Sequence, residues 1–171
     1  AAAGGCASST APRAAAVAAS LEAATPGCAL SREEGLTLSR LELSALRALL
    51  RLVGEEEGEA AGILGNLERV EVASYRLDGG AGCAAEPSIG AVGAELARAG
   101  WRPMVVERGD MGGSWVFALG DVEGELAGLY VIDLDGGALE LVRLEGRIDR
   151  LLAEAIRDDP GSAAHLVEGA P

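Results

Sequence analysis

The middle of the chain carries the clearest hydrophobic pattern. Leu43, Leu46, Leu50 and Val53 recur at spacings of three, four and three, one face of a helix. Ser39-Arg40-Leu41-Glu42 ahead of them fits a capping box, and Gly54 behind them is a C′ stop. A second, shorter helix follows over residues 55–66, opened by Glu55-Glu56-Glu57 and weakened by Gly58, Gly62 and Gly65. Residues 67–77 alternate as a strand, ended by Asp78-Gly79-Gly80. Pro87 suits the first turn of a helix with Ile89, Val92, Leu96 and Ala99 as its apolar stripe and Gly100 as its stop.

Four strand signals then come in succession. They are residues 103–108, residues 114–120 with Trp115, Phe117 and Leu119 on one face, residues 126–134, and residues 138–146. Residues 126–134 are nearly all apolar, which predicts a central strand. Asp135-Gly136-Gly137 between the last two reads as a tight hairpin turn. Asp149 caps a final helix carrying Leu151, Leu152, Ala155 and Ile156. Consecutive strands with short turns predict an antiparallel meander, and helices in separate blocks predict an α+β fold. The expected architecture is a mainly antiparallel sheet of about five strands with helices on one face. Residues 31–159 form its single domain, residues 1–30 an Ala/Gly-rich tail or weak helix, and residues 160–171 a C-terminal tail.

Composition narrows the function classes. The 171 residues include 33 Ala and 25 Gly, no Lys, 14 Arg and a single His, with a net charge of −13. Such acidity argues against nucleic acid and anionic membrane surfaces, which need basic patches. No apolar run approaches 18 residues, so no transmembrane helix is expected. One His excludes most zinc and Ser-His-Asp chemistry built within one chain. The absence of Lys beside 14 Arg fits a GC-rich coding bias.

The start Ala1-Ala2-Ala3 lacks Met and is alanine-rich, as a signal peptidase leaves behind, so export to the periplasm, outer membrane or extracellular space is expected. Three cysteines are an odd number for an exported chain. One reading pairs Cys28 with Cys83. Cys6, in Gly4-Gly5-Cys6-Ala7-Ser8, is then left for lipidation or for a bond between chains. The other reading leaves all three as small buried or unpaired residues.

The run from Leu96 to Asp149 resembles the bacterial domain-of-unknown-function family 4252. The residues that carry the likeness are Gly100-Trp101-Arg102-Pro103, the hairpin strand Leu126 to Leu134, and Leu144-Glu145-Gly146-Arg147-Ile148-Asp149. More loosely, the Leu46-Leu49-Leu50 helix and the strand Val70 to Leu77 fit the same family over residues 36–157. The resemblance implies a small exported envelope protein, lipoprotein-like in many members. It implies no activity and no catalytic residue.

The remaining constellations point to turns and solvated faces. Asp133-Leu134-Asp135-Gly136 lacks the further oxygen ligands of a calcium loop. Glu55-Glu56-Glu57 with Glu59 reads as a solvated helix start rather than as a site for a divalent cation. Gly80-Ala81-Gly82 has no Lys-Ser/Thr after it, as a phosphate loop requires. Asp110 and Asp121 flank one strand without a sign that they converge. Trp101, Trp115, Tyr75 and Tyr130 are expected in the core, and His165 on the surface. No cofactor, metal or catalytic residue is expected. Two functions remain: a non-enzymatic envelope protein that binds a partner or is lipid-anchored through Cys6, and a self-assembling fibre subunit whose N-terminal tail docks on a neighbour.

Overall fold

The computed structural model describes residues 13–25, 27–52, 59–79, 89–109, 112–120 and 125–151. The chain runs α1 (Ala14–Ala24), β1 (Cys28–Leu38), α2 (Arg40–Leu52), α3 (Glu59–Asn66), β2 (Leu67–Gly79), α4 (Ile89–Arg98), β3 (Trp101–Gly109), β4 (Gly112–Gly120), β5 (Leu126–Asp135) and β6 (Ala138–Gly146). A last helix begins at Ile148.

All ten segments build one α+β unit around a six-stranded antiparallel sheet, in the order β1-β2-β6-β5-β4-β3. The meander β3-β4-β5-β6 is as the turns predict. Gly136 and Gly137 both have positive φ (54° and 89°), the backbone that a two-residue type I′ hairpin requires. β5 is internal, with Tyr130, Ile132 and Leu134 buried.

Three expectations are corrected. The sheet has six strands because Cys28–Leu38 pairs with β2 from Val70 to Gly79. That segment is exposed over most of its length and includes Arg32-Glu33-Glu34-Gly35, so its own pattern gives no strand signal. The backbone ladder with β2 makes it a strand. Ala14–Ala24, expected within the tail, instead packs into the core. From Ala14 onward the chain belongs to the domain, because Ala14, Val17, Ala18 and Leu21 form one buried helical stripe. Alanine gives this helix its propensity and lets it lie close on the sheet.

The helices, lastly, divide between the two faces. α1 and α4 cover one face, where Val17, Leu21, Val92 and Leu96 pack on Tyr75, Trp101, Trp115, Phe117, Tyr130, Ile132 and Leu141. On the other face a smaller cluster joins Leu43 of α2 to Leu67 and Ile148, flanked by Leu64 of α3 and by Leu38, Val70, Leu129 and Leu144 of the sheet.

Two local signals of the sequence are present. Gly100 ends α4 with φ +89°, the left-handed C′ residue. At α2, the Glu42 carboxylate accepts from the Ser39 backbone N–H (2.7 Å) and hydroxyl (2.6 Å), the reciprocal half of a capping box. These hydrogen bonds, the hydroxyl's first, hold the Glu42 carboxyl below its ordinary value of 4.5. A lowered carboxylate contributes stability above its unfolded value and loses it as pH falls through the folded one. Hydrogen exchange at the first turn of α2 is therefore expected to speed up as pH drops below about 4.5, beyond the intrinsic pH effect. The Glu42→Gln variant should lack that extra acceleration.

Candidate functional site

The helix-covered face buries a charged cluster. Glu71 on β2 is register partner of Arg143 on β6, and Arg143 is partner of Tyr130 on β5, so all three side chains share that face. Glu71 Oε1 accepts the Ala14 N–H at 3.1 Å and so caps the N-terminus of α1 from 57 residues away. Its Oε2 lies 3.7 Å from Arg143 Nη1, whose side chain is only 4% exposed. Arg143 Nη2 also donates to Glu145, and Arg69 Nε lies 3.4 Å from the other oxygen of Glu145. The Ser20 hydroxyl donates to Glu95 at 2.8 Å and ties α1 to α4. These contacts anchor α1 on the sheet.

Tyr130 sits beside this cluster with 0% exposure, edge-on to Trp101 at 5.8 Å between centroids and 88° between planes. Its hydroxyl and the Trp101 indole N–H have no hydrogen-bond partner among the described residues. Burial first, then the Glu71 charge, pushes the Tyr130 hydroxyl above the ordinary tyrosine value of 10, partly offset by Arg143. A buried hydroxyl without a partner costs stability, so Tyr130→Phe is expected to leave stability unchanged or raise it by about 1 kcal/mol. A lowered midpoint of urea unfolding would show that the hydroxyl is satisfied in solution.

The crevice under α1, lined by Leu21, Cys28, Leu30, Leu77, Leu134 and Leu139, has about 10 Å³, space for roughly one water. Among the described residues no three His, Cys, Asp or Glu side chains come together as a metal site. Nor does any helix there have the length and apolarity to cross a membrane.

The opposite face has a different character. Its register brings Leu36, Val72, Val142, Val131, Val116 and Val105 into a single row, one from each strand across the whole sheet. Leu36 is 52% exposed, Val72 and Val105 are 37% exposed, and the three central valines are half-buried. At a strand spacing of about 4.8 Å the row is roughly 24 Å long. Two residues along each strand lies a second row: Glu34, Ser74, Glu140, Asp133, Ser114 and Glu107. Four of its six members are carboxylates. None of the four has an ion-pair partner among the described residues. A shallow depression opens where the two rows meet, lined by Glu34, Leu36, Val72, Ser74 and Glu140.

The residues singled out from sequence fall as follows. Cys28 is buried (8% exposed) and disulfide-bonded; its partner is outside the described residues, as are Cys6 and Cys83. Glu55-Glu56-Glu57, Gly80-Ala81-Gly82, Pro87, Asp110, Asp121 and His165 also lie outside them. Trp101, Trp115, Tyr75 and Tyr130 all fill the core. Asp133 and Asp135 both lie on β5, ahead of the hairpin turn. Asp133 belongs to the acidic row, while Asp135 closes the turn opposite Ala138. The Glu71–Arg143 pair and the aliphatic row have no motif in the sequence. The only hint is that β2, β4, β5 and β6 each carry apolar residues on both faces.

Comparison with family models, curated proteins and solved structures finds no match for this chain. The likeness to family 4252 therefore rests on the residues quoted for it above.

Proposed function

We propose that this chain is an exported bacterial cell-envelope protein that works by binding another protein, without catalysis. The observation that carries this reading is the row of six aliphatic side chains running from edge to edge of the open sheet face. A contiguous, partly exposed apolar strip bordered along one side by polar residues fits an interaction surface. The disulfide at Cys28 supports export, because such bonds persist in oxidising compartments. The resemblance over residues 36–157 points to the same compartment, and a lipid anchor through Cys6 belongs to this reading as well.

A photo-crosslinking residue placed at Val142 in cells tests it. One protein adduct is expected, absent when the probe is placed at exposed Ala19 of α1 on the other side of the sheet. Identical adducts from both positions, or none from Val142, would count against a binding face there.

A second reading, self-assembly into fibres, is favoured by the two sheet edges. β1 and β3 end the sheet and pair with no further strand among the described residues, and Met104 and Val106 of β3 are exposed. An added strand would fit such an edge. Electron microscopy of purified protein decides it. Fibres that disappear on deletion of residues 1–12 support assembly, and uniform monomers refute it.

A further inference from the structure

The two rows of the open face differ in chemistry, and their pairing points to a particular occupant. We infer that this face binds a cationic amphipathic peptide segment of a partner protein, its aliphatic side chains on the Val72–Val142–Val131–Val116 floor and its Arg or Lys residues over Asp133 and Glu140. This rests on the binding-face reading above and adds the partner's chemistry to it.

Charge selects the occupant. The acidic row lies roughly 7 Å from the aliphatic one, two residues along each strand. A helix is about 10 Å wide, so one seated on the aliphatic row brings a flank over the carboxylates. On the far side of the aliphatic row comes the apolar line Leu38, Val70, Leu144, Leu129 and Ala118, most of which packs into the second core cluster. Basic residues are therefore called for on one flank only. The nearest cation beyond the acidic row, Arg76, is already paired with Glu33. A second copy of this chain brings its own share of the −13 charge against the same carboxylates, and an anionic membrane is repelled likewise.

The sheet's geometry limits the contact. Strands twist by about 20–25° each, so a straight segment stays in contact with only three or four of them. Three strand intervals are roughly 15 Å, which a helix spans in about ten residues. Its apolar stripe repeats about every 5.4 Å, close to the roughly 4.8 Å between the valines.

The test uses the whole chain with labelled Val and Leu methyl groups. It is titrated at low salt with an 18-residue Leu/Arg amphipathic peptide and with a Leu/Glu peptide of the same length. The Leu/Arg peptide is expected to shift the methyl signals of Val72, Val142, Val131 and Val116 and to bind at least tenfold more tightly than its acidic counterpart. Exposed ion pairs are individually weak, so the double variant Asp133→Asn/Glu140→Gln should weaken binding by roughly fivefold. Raising the salt to 0.5 M should do the same by screening.

Equal binding of both peptides would overturn the charge selection and leave the binding-face reading standing, with the photo-crosslink as its separate check. Shifts at exposed Leu41 and Leu49 of α2 in place of the valines would overturn the site. Valine signals that ignore both peptides and move with protein concentration would assign the face to a second copy. Broadening of those signals by a spin label at Ala163 would assign it to the chain's own C-terminal segment. Either result overturns the proposal.

Discussion

Replacing Arg143 by Met is expected to destabilise the domain by about 3–5 kcal/mol, because removing one partner of a buried ion pair leaves its counter-charge uncompensated. The Arg143 side chain is 4% exposed, and it lies between Glu71 and Glu145, themselves only 11% and 16% exposed. Glu71 holds the Ala14 N–H as well, so the loss reaches α1. Of a total stability of about 5–15 kcal/mol, this is a large share. The effect is checked by urea unfolding, and a second variant identifies its cause. If stranded carboxylate is responsible, adding Glu71→Gln to Arg143→Met should recover part of the loss. If the loss is one of packing, the double variant will be the less stable of the two.

Trp101→Ala is the other large effect, expected to cost about 3–5 kcal/mol for the emptied volume. A further 0.5–1.5 kcal/mol, roughly, is lost with the edge-on contact to Tyr130. Trp101 is fully buried although it stands on the edge strand β3, because β5 presents Gly128 beneath it. A Cβ at Gly128 would lie 2.8 Å from the Trp101 ring and 3.1 Å from the Leu144 carbonyl oxygen. Gly128→Val should therefore destabilise by about 1–3 kcal/mol through overpacking. The two variants together should be far from additive, since in the absence of the indole the valine has space to occupy. A double-mutant cycle by thermal unfolding measures that coupling, and additivity would show that the glycine is not there for the tryptophan.

These residues also show what was legible in the chain. Periodicity locates α4 and the strands β2, β4, β5 and β6, because each buries a stripe on its own period of 3.6 or 2, whereas α2 buries Leu43 but leaves Leu46 exposed, and β3 buries only Trp101. Element ends are legible only within two or three residues, since the backbone ladder extends β3 to Trp101 at one end and Gly109 at the other. β1 is hidden because an edge strand is held by its partner's backbone more than by its own side chains. α1 is hidden because alanine signals a helix without showing what it packs against.

The binding face is the least legible part. Its row of six depends on two β-bulges, one between Arg32 and Glu34 and one between Pro103 and Val105. Without the first, Leu36 would turn to the face of Glu71. Without the second, Met104 would stand opposite Val116 and Val105 opposite Trp115 on the other face. A one-residue slip exchanges the two faces of a strand, and no single strand records where its neighbours have slipped.

By itself, then, the sequence determined the α+β class, the four-strand meander with its Gly136-Gly137 turn, the burial of the aromatic residues and the acidity of the surface. All of these follow from local propensity, periodicity or summed charge. Only the tertiary structure decided that the sheet has a sixth strand, that α1 closes one face through Glu71, and that valines and carboxylates from six separate strands line up on the other. Those features are pairings between residues far apart in the chain, and their physical cause is the register of the backbone ladder.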